Sequence, residues 1–240
     1  MLQLVLTVII FMIIVIPIGN YLYHIASGQR TFADPVFDRV DGGIFKVCGI
    51  HPDKGMNWKQ YALALLLTNA VMVFVGYLVL RIQFLPIFNP NGIGAMEETL
   101  SFNTIISFMT NTNLQHYSGE SGLSYLSQML VIIFMMFVSA AIAFVRGLAG
   151  KSKDNVGNFY ADLVKVTTRV LIPLSIIGGM LLIWQGVPQN FDPNVTVTTI
   201  EGTQQDIAMG PVAALEIIKH IGTNGGGFLG ANSSTPIENP

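Results

Sequence analysis

Two stretches decide the reading of this chain: ETLSFNTIISFMTNTN at residues 98–113 and VAALEIIKHIGTNGGG at residues 212–227. Each is an apolar, helix-like run too short to cross a bilayer and too apolar for open water. Glu97 and Glu98 suit the amino terminus of the first helix, and Pro211 suits the first helical position of the second. Each run ends in a polar turn, Thr110-Asn111-Thr112-Asn113 followed by Leu114-Gln115, and Gly222-Thr223-Asn224-Gly225-Gly226-Gly227 before Phe228. The pair reads as an internal repeat. A shift of 113 aligns Thr110-Asn111 with Thr223-Asn224 and keeps the apolar positions in step, so it is preferred. A shift of 111 pairs Thr112-Asn113 with Thr223-Asn224 instead.

The rest of the chain says where such segments lie. Of 240 residues, 51% are hydrophobic and 11% charged, and the mean hydropathy is +0.57. A soluble globule needs more charge to cover its surface. The composition excludes a cytosolic enzyme, a disordered tail and, with a net charge of −2, a nucleic-acid binder. Cys48 is the one cysteine, which excludes an internal disulfide framework and a multi-cysteine metal site. An integral membrane protein remains.

Charge-free runs at 1–23, 61–80 and 123–145 are long enough to span, and a fourth runs from about Val170 to Trp184, led in by residues from Phe159 and containing Pro173. The first lacks a basic leading region and outlasts a signal-peptide core, so it is read as a retained helix. Arg30, Arg39, Lys46, Lys54 and Lys59 lie between the first two spans; Arg146, Lys151, Lys153, Lys165 and Arg169 lie between or beside the last two. Arg81 and Lys219 are the other cations. The positive-inside rule then places 24–60 and 146–169 in the cytoplasm, and the amino terminus, 81–122 and 185–240 outside. The expected organisation is a first transmembrane helix (1–23), a cytoplasmic loop (24–60), a first pore repeat (61–145, filter 110–115) and a second, incomplete pore repeat (146–240, filter 222–228). The expected fold class is an all-α integral membrane protein whose repeat is a span, a short re-entrant helix and a Thr-Asn turn.

Non-helical backbone at membrane depth is tolerated where it packs in protein or lines a water-filled path. A short helix aims its negative carboxyl end at that path and favours a cation. Backbone carbonyls can replace the water around a potassium ion, and glycine lets them turn one way without steric cost. No carboxylate lies between Thr110 and Tyr117 or between Gly222 and Ser234, whereas calcium or magnesium sites recruit Asp or Glu. The pattern predicts a potassium site at Thr110, Asn111, Thr112, Asn113, Gln115, Thr223, Asn224, Gly225, Gly226 and Gly227. Gln115 could be a plain surface residue or, at the filter mouth, give an oxygen to an entering ion or brace the filter. Glu120 could attract cations or be a solvated loop acid. Asn69, mid-span, reads as a helix–helix hydrogen bond. His116 and His220 lack a second histidine at zinc-ligand spacing.

MNWKQY (56–61), TNTNLQHYSGE (110–120), the SYLSQM run (124–129), MGPVA (209–213) and GTNGGGF with ANSSTPIENP (222–240) carry a resemblance. The chain resembles the potassium-binding subunit of the Kdp potassium-transporting P-type ATPase (KdpA) over essentially its whole length. The resemblance implies ten spans and four helix–filter–helix repeats like those of potassium channels. Only the first two repeats lie in this sequence, which makes it an amino-terminal part, either a fragment or a truncated gene product. It implies a P-type catalytic subunit that hydrolyses ATP, a small accessory subunit and a single-span peptide as partners, within the lipid bilayer of the cell membrane. This chain would be non-catalytic, with potassium as transported substrate and no organic cofactor. Asp53-Lys54-Gly55 is not the phosphorylated P-type motif, since its threonine and a nucleotide-binding domain are missing. The alternative functions are a non-transporting membrane scaffold and a fragment of a secondary transporter, whose broken helices would turn amino termini toward an organic or anionic substrate.

Overall fold

The computed structural model describes residues 2–148 and 156–238, with the side chains of all but 26 and 142–148. Lys151, Lys153 and the side chain of Arg146 therefore lie outside the described residues. The described chain is mostly helical, and three helices are long and apolar enough to cross a membrane: Leu2–Ile25, Trp58–Ile82 and Phe159–Trp184. The expected third span, 123–145, falls on a run of three helical pieces between Tyr125 and Leu148, apolar over Tyr125–Ala141. The spanning helices leave most of their apolar side chains uncovered by protein, with none of the best window of the first span buried. That is the surface a lipid solvent requires.

The chain divides into two compact units. The first, residues 1–64 and 143–170, contains α1 (Leu2–Ser27), α2 (Asp34–Cys48), the start of α3 (Trp58–Ile82) and α8 (Phe159–Val166). Asn158 organises it. Its side-chain oxygen caps α8 by accepting from the Tyr160 and Ala161 amides, and its nitrogen donates to the carbonyls of His51 and Lys54 at 3.1 and 3.0 Å. A π-helical turn, Thr167–Leu171, follows α8. Pro173 cannot donate to the carbonyl four residues back, that of Arg169. That oxygen instead accepts the Tyr21 hydroxyl at 3.0 Å.

The second unit, residues 65–142 and 171–240, holds the rest of α3, α4 (Glu98–Met109), α5 (Gly119–Gly122), α6 (Tyr125–Ser127), a π-helical stretch Gln128–Ile133, most of α7 (Phe134–Leu148), α9 (Ile172–Trp184) and α10 (Val212–Ile221). It also holds an antiparallel hairpin, β1 (Val195–Thr198) with β2 (Gln204–Ile207), in the register Val195 opposite Ile207. The expectation of an all-α chain is corrected by that hairpin. VTVT is a β-branched alternating run, and Gly202 makes the reversal at φ +82°.

Each short helix sits on a glycine of a long one. A Cβ on Gly76 of α3 would come within 2.8 Å of Ile105 Cδ1 in α4 and 2.6 Å of Met135 Cε. A Cβ on Gly178 of α9 would come within 2.3 Å of Ile217 Cδ1 in α10. The missing side chain at Gly178 lets α10 lie close against α9, and that at Gly76 leaves room for the tips of Ile105 and Met135.

Candidate ion-binding site

The two polar turns lie side by side in the second unit. Glu97 caps α4 by accepting from the Leu100 amide at 2.7 Å, so the helix starts where its acidic residues predict. The two helices end alike. The amides of Thr110 and Gly222 donate to Ile106 and Ile218 at 2.9 and 2.7 Å. Those of Thr112 and Asn224 reach back to Ser107 and Lys219 at 3.0 and 3.1 Å. Left-handed backbone follows at Asn111 (φ 57°) and Asn113 (φ 51°), and at Thr223 (φ 54°) and Gly225 (φ 86°). Every one of these matches is 112 residues apart, as is Ile105 from Ile217. The register is therefore 112, not the preferred 113 nor the alternative 111. Identical Thr-Asn letters misled the alignment, because backbone handedness is what repeats.

Direct bonds join the turns. Asn111 Nδ2 donates to the Gly222 carbonyl at 3.1 Å and to Thr223 Oγ1 at 3.3 Å. Its Oδ1 accepts from Asn224 Nδ2 at 2.8 Å. Asn224 Oδ1 in turn accepts the Gly226 amide at 3.0 Å. Gln115 grips Gly227 from both sides, accepting from its amide at 2.9 Å and donating to its carbonyl at 3.3 Å. Asn113 lies against Gly225, its Nδ2 being 3.0 Å from where a Cβ would stand. The Thr110 and Thr112 hydroxyl oxygens lie 2.9 Å apart and also within 2.8 and 3.2 Å of the Ile106 and Ser107 carbonyls, so their two protons serve two of these three contacts at a time. All ten expected site residues thus belong to two adjoining turns. Of the roles open to Gln115, this geometry is that of a brace.

The supports behind the turns differ. Glu120 Oε2 accepts the Gly230 amide at 2.9 Å, so it tethers the second loop. Gly119 makes room for that loop, since a Cβ there would lie 1.9 Å from the Phe228 carbonyl oxygen. In α10, Lys219 Nζ lies 2.8 Å from Glu216 Oε1, within ion-pair range but off the angle of a hydrogen bond. Both side chains are buried. Burial alone would raise the Glu216 carboxyl, but His220 and Lys219 outweigh it and hold it well below the usual range. Ser233 donates to Glu216 at 2.8 Å. Glu238 accepts from the amides of Leu229 and Ser233, each at 2.9 Å. Glu216 and Glu238 are absent from the expected site and Lys219 stood there only as an outer cation; the three-residue spacing of Glu216 and Lys219 on a short apolar helix is the signal that marks them. Among the described residues the buried Asn69 side-chain oxygen has no hydrogen-bond partner, so the expected interhelical bond is not seen there.

Residues 5–240 match the family described as potassium-transporting ATPase A subunit, KdpA. The chain belongs to this family. Similar relatives are potassium-transporting ATPase potassium-binding subunits of Clostridium acetobutylicum (57% identical over 100% of this chain and 44% of the relative) and Caldanaerobacter subterraneus (54%, over 93% and 41%). The Geobacillus kaustophilus relative of the same name is 51% identical over 96% of this chain and 42% of its own length. The chain spans less than half the length of these KdpA relatives. Together with its apolar helices, family membership makes it a multi-pass membrane protein.

Proposed function

We propose that this chain forms the first part of the potassium-binding and translocating subunit of an ATP-driven, high-affinity potassium uptake complex. In this reading, residues 110–115 and 222–228 are two segments of its selectivity filter. The observation that carries it is the direct bonding of two uncharged turns, each at the carboxyl end of a short helix. Those helix ends favour a cation. Alternating left- and right-handed residues can turn neighbouring peptide groups the same way. Carbonyls of Thr110 through Asn113 and of Thr223 through Gly227 then take the place of water around a potassium ion. The absence of carboxylates there disfavours calcium and magnesium. Gln115 positions Gly227 and leaves the ion to the main chain. The remaining oxygens come from the part of the protein that the relatives have beyond this length.

ATP hydrolysis belongs to a separate P-type catalytic subunit, accompanied by a small accessory subunit and a single-span peptide. The ion enters from the extracytoplasmic side of the cell membrane, where the amino terminus also lies. The test is Gly225→Ala in the complete complex. An L-residue at this left-handed position costs about 1–2 kcal/mol, so half-saturation of ATP hydrolysis by potassium should rise roughly tenfold. Unchanged half-saturation, with unchanged preference over sodium, overturns the reading.

A further inference from the structure

The helix α2 turns its acidic face inward and its apolar face out. Asp34, Asp38 and Asp41 share one face, and all three meet Arg169. Arg169 Nη1 is 2.6 Å from Asp34 Oδ1, and Nη2 is 2.6 Å from Asp38 Oδ1 and 2.9 Å from Asp41 Oδ2. Thr168 donates to the other Asp41 oxygen at 2.7 Å. Arg169 and Asp41 are buried. This fixes the rotation of α2 about its axis.

The opposite stripe, Val36, Val40, Gly43 and Val47, is exposed, Val36 by 66% and Val47 by 87%. Arg39 and Lys46 run along its edge, both exposed and without an ion pair among the described residues. The height of this stripe is also set. The Arg169 carbonyl bonds Tyr21, near the end of the first span, and a short connection, 28–33, leads from α1 into α2. The stripe thus sits where a spanning helix leaves the hydrocarbon.

We infer that α2 is an interfacial helix whose Val36, Val40 and Val47 enter the headgroup–acyl boundary of the bilayer, while Arg39 and Lys46 bind lipid phosphates. A helix with an apolar stripe edged by cations is suited to that boundary, and its cations are attracted by anionic lipid. The acidic face, which a membrane would repel, is turned away toward Arg169, which pairs with all three carboxylates and offsets one of their charges.

The test uses the full chain with Cys48→Ser, reconstituted in vesicles of phosphatidylethanolamine and phosphatidylglycerol. Spin labels are placed on Val36→Cys, Val40→Cys and Val47→Cys, with Gly42→Cys as the water-facing control. Oxygen concentrates in hydrocarbon and a nickel chelate in water. The three stripe labels should show a severalfold higher oxygen-to-nickel collision ratio than the control. Replacing phosphatidylglycerol by phosphatidylcholine should lower that ratio, and Arg39→Gln with Lys46→Gln should abolish this lipid dependence. Stripe labels as open to nickel as the control overturn the inference, as do labels shielded from both reagents, which would mean that protein covers them. Lipid dependence that survives in the double variant overturns the role of the two cations.

Discussion

The first helix and turn, 98–115, and the second, 212–227, share a backbone and differ in what holds it. The first takes its left-handed positions with two asparagines, whose side chains tolerate that region; the second uses Thr223 and Gly225. Behind the first turn lie small neutral groups. Ser107 Oγ accepts the Leu114 amide at 2.6 Å, and Thr104 is buried near Met96. At the corresponding positions the second has Lys219 and Glu216, a buried ion pair. One backbone path can thus be supported by self-contained neutral bonds or by charges that depend on each other. The second support is far less forgiving of change.

The sharpest way to break the comparison is therefore Lys219→Met. Removing one partner of a buried ion pair costs about 3–5 kcal/mol, and thermal unfolding in detergent should show that loss. Glu216→Gln added to it should recover part. Ser107→Ala, at the matching site, should cost only about 1 kcal/mol, the scale of one hydrogen bond. Equal losses at the two sites would end the distinction. Next comes Gly119→Ala, which presses a methyl group onto the Phe228 carbonyl and should cost about 3 kcal/mol, the upper end for overpacking. Potassium-stimulated ATP hydrolysis of the complete complex should fall with it. Asn111→Ala removes three bonds between the turns and should destabilise by about 2 kcal/mol. The smallest change is expected for Asn113→Gly. Glycine keeps the left-handed backbone, and the Asn113 Oδ1 is buried without a partner among the described residues, so unfolding should shift by no more than about 0.5 kcal/mol. A large loss there would mean that its contact with Gly225 carries the turn.

Much of this was legible in the sequence because hydrophobic length and helix-end chemistry are local. The spans, the Glu97 cap and the two short helices follow from residues within a few turns. What escaped depends on residues far apart or on backbone handedness. Asn and Gly both tolerate the left-handed region, so letters could not reveal that Asn113 matches Gly225 rather than Thr112 matching it. Whether Gln115 faces an ion or Gly227 is set by a residue over a hundred positions later. Arg169 counted as a cytoplasmic cation like any other, although Asp34, Asp38 and Asp41 neutralise it. Their spacing marks one helical face, but nothing local says which partner that face meets. The hairpin was different: VTVT and Glu201-Gly202 carried its signal in plain sight.

The bonds between the turns also have a bearing on biogenesis. Asn111, Gln115 and Glu120 find their partners 110–113 residues downstream. At roughly 5–20 residues per second, the ribosome delivers those partners on the order of ten seconds later. During that interval the nascent first turn has only the local bonds to its own helix, and those of Asn111, Gln115 and Glu120 form when the second arrives.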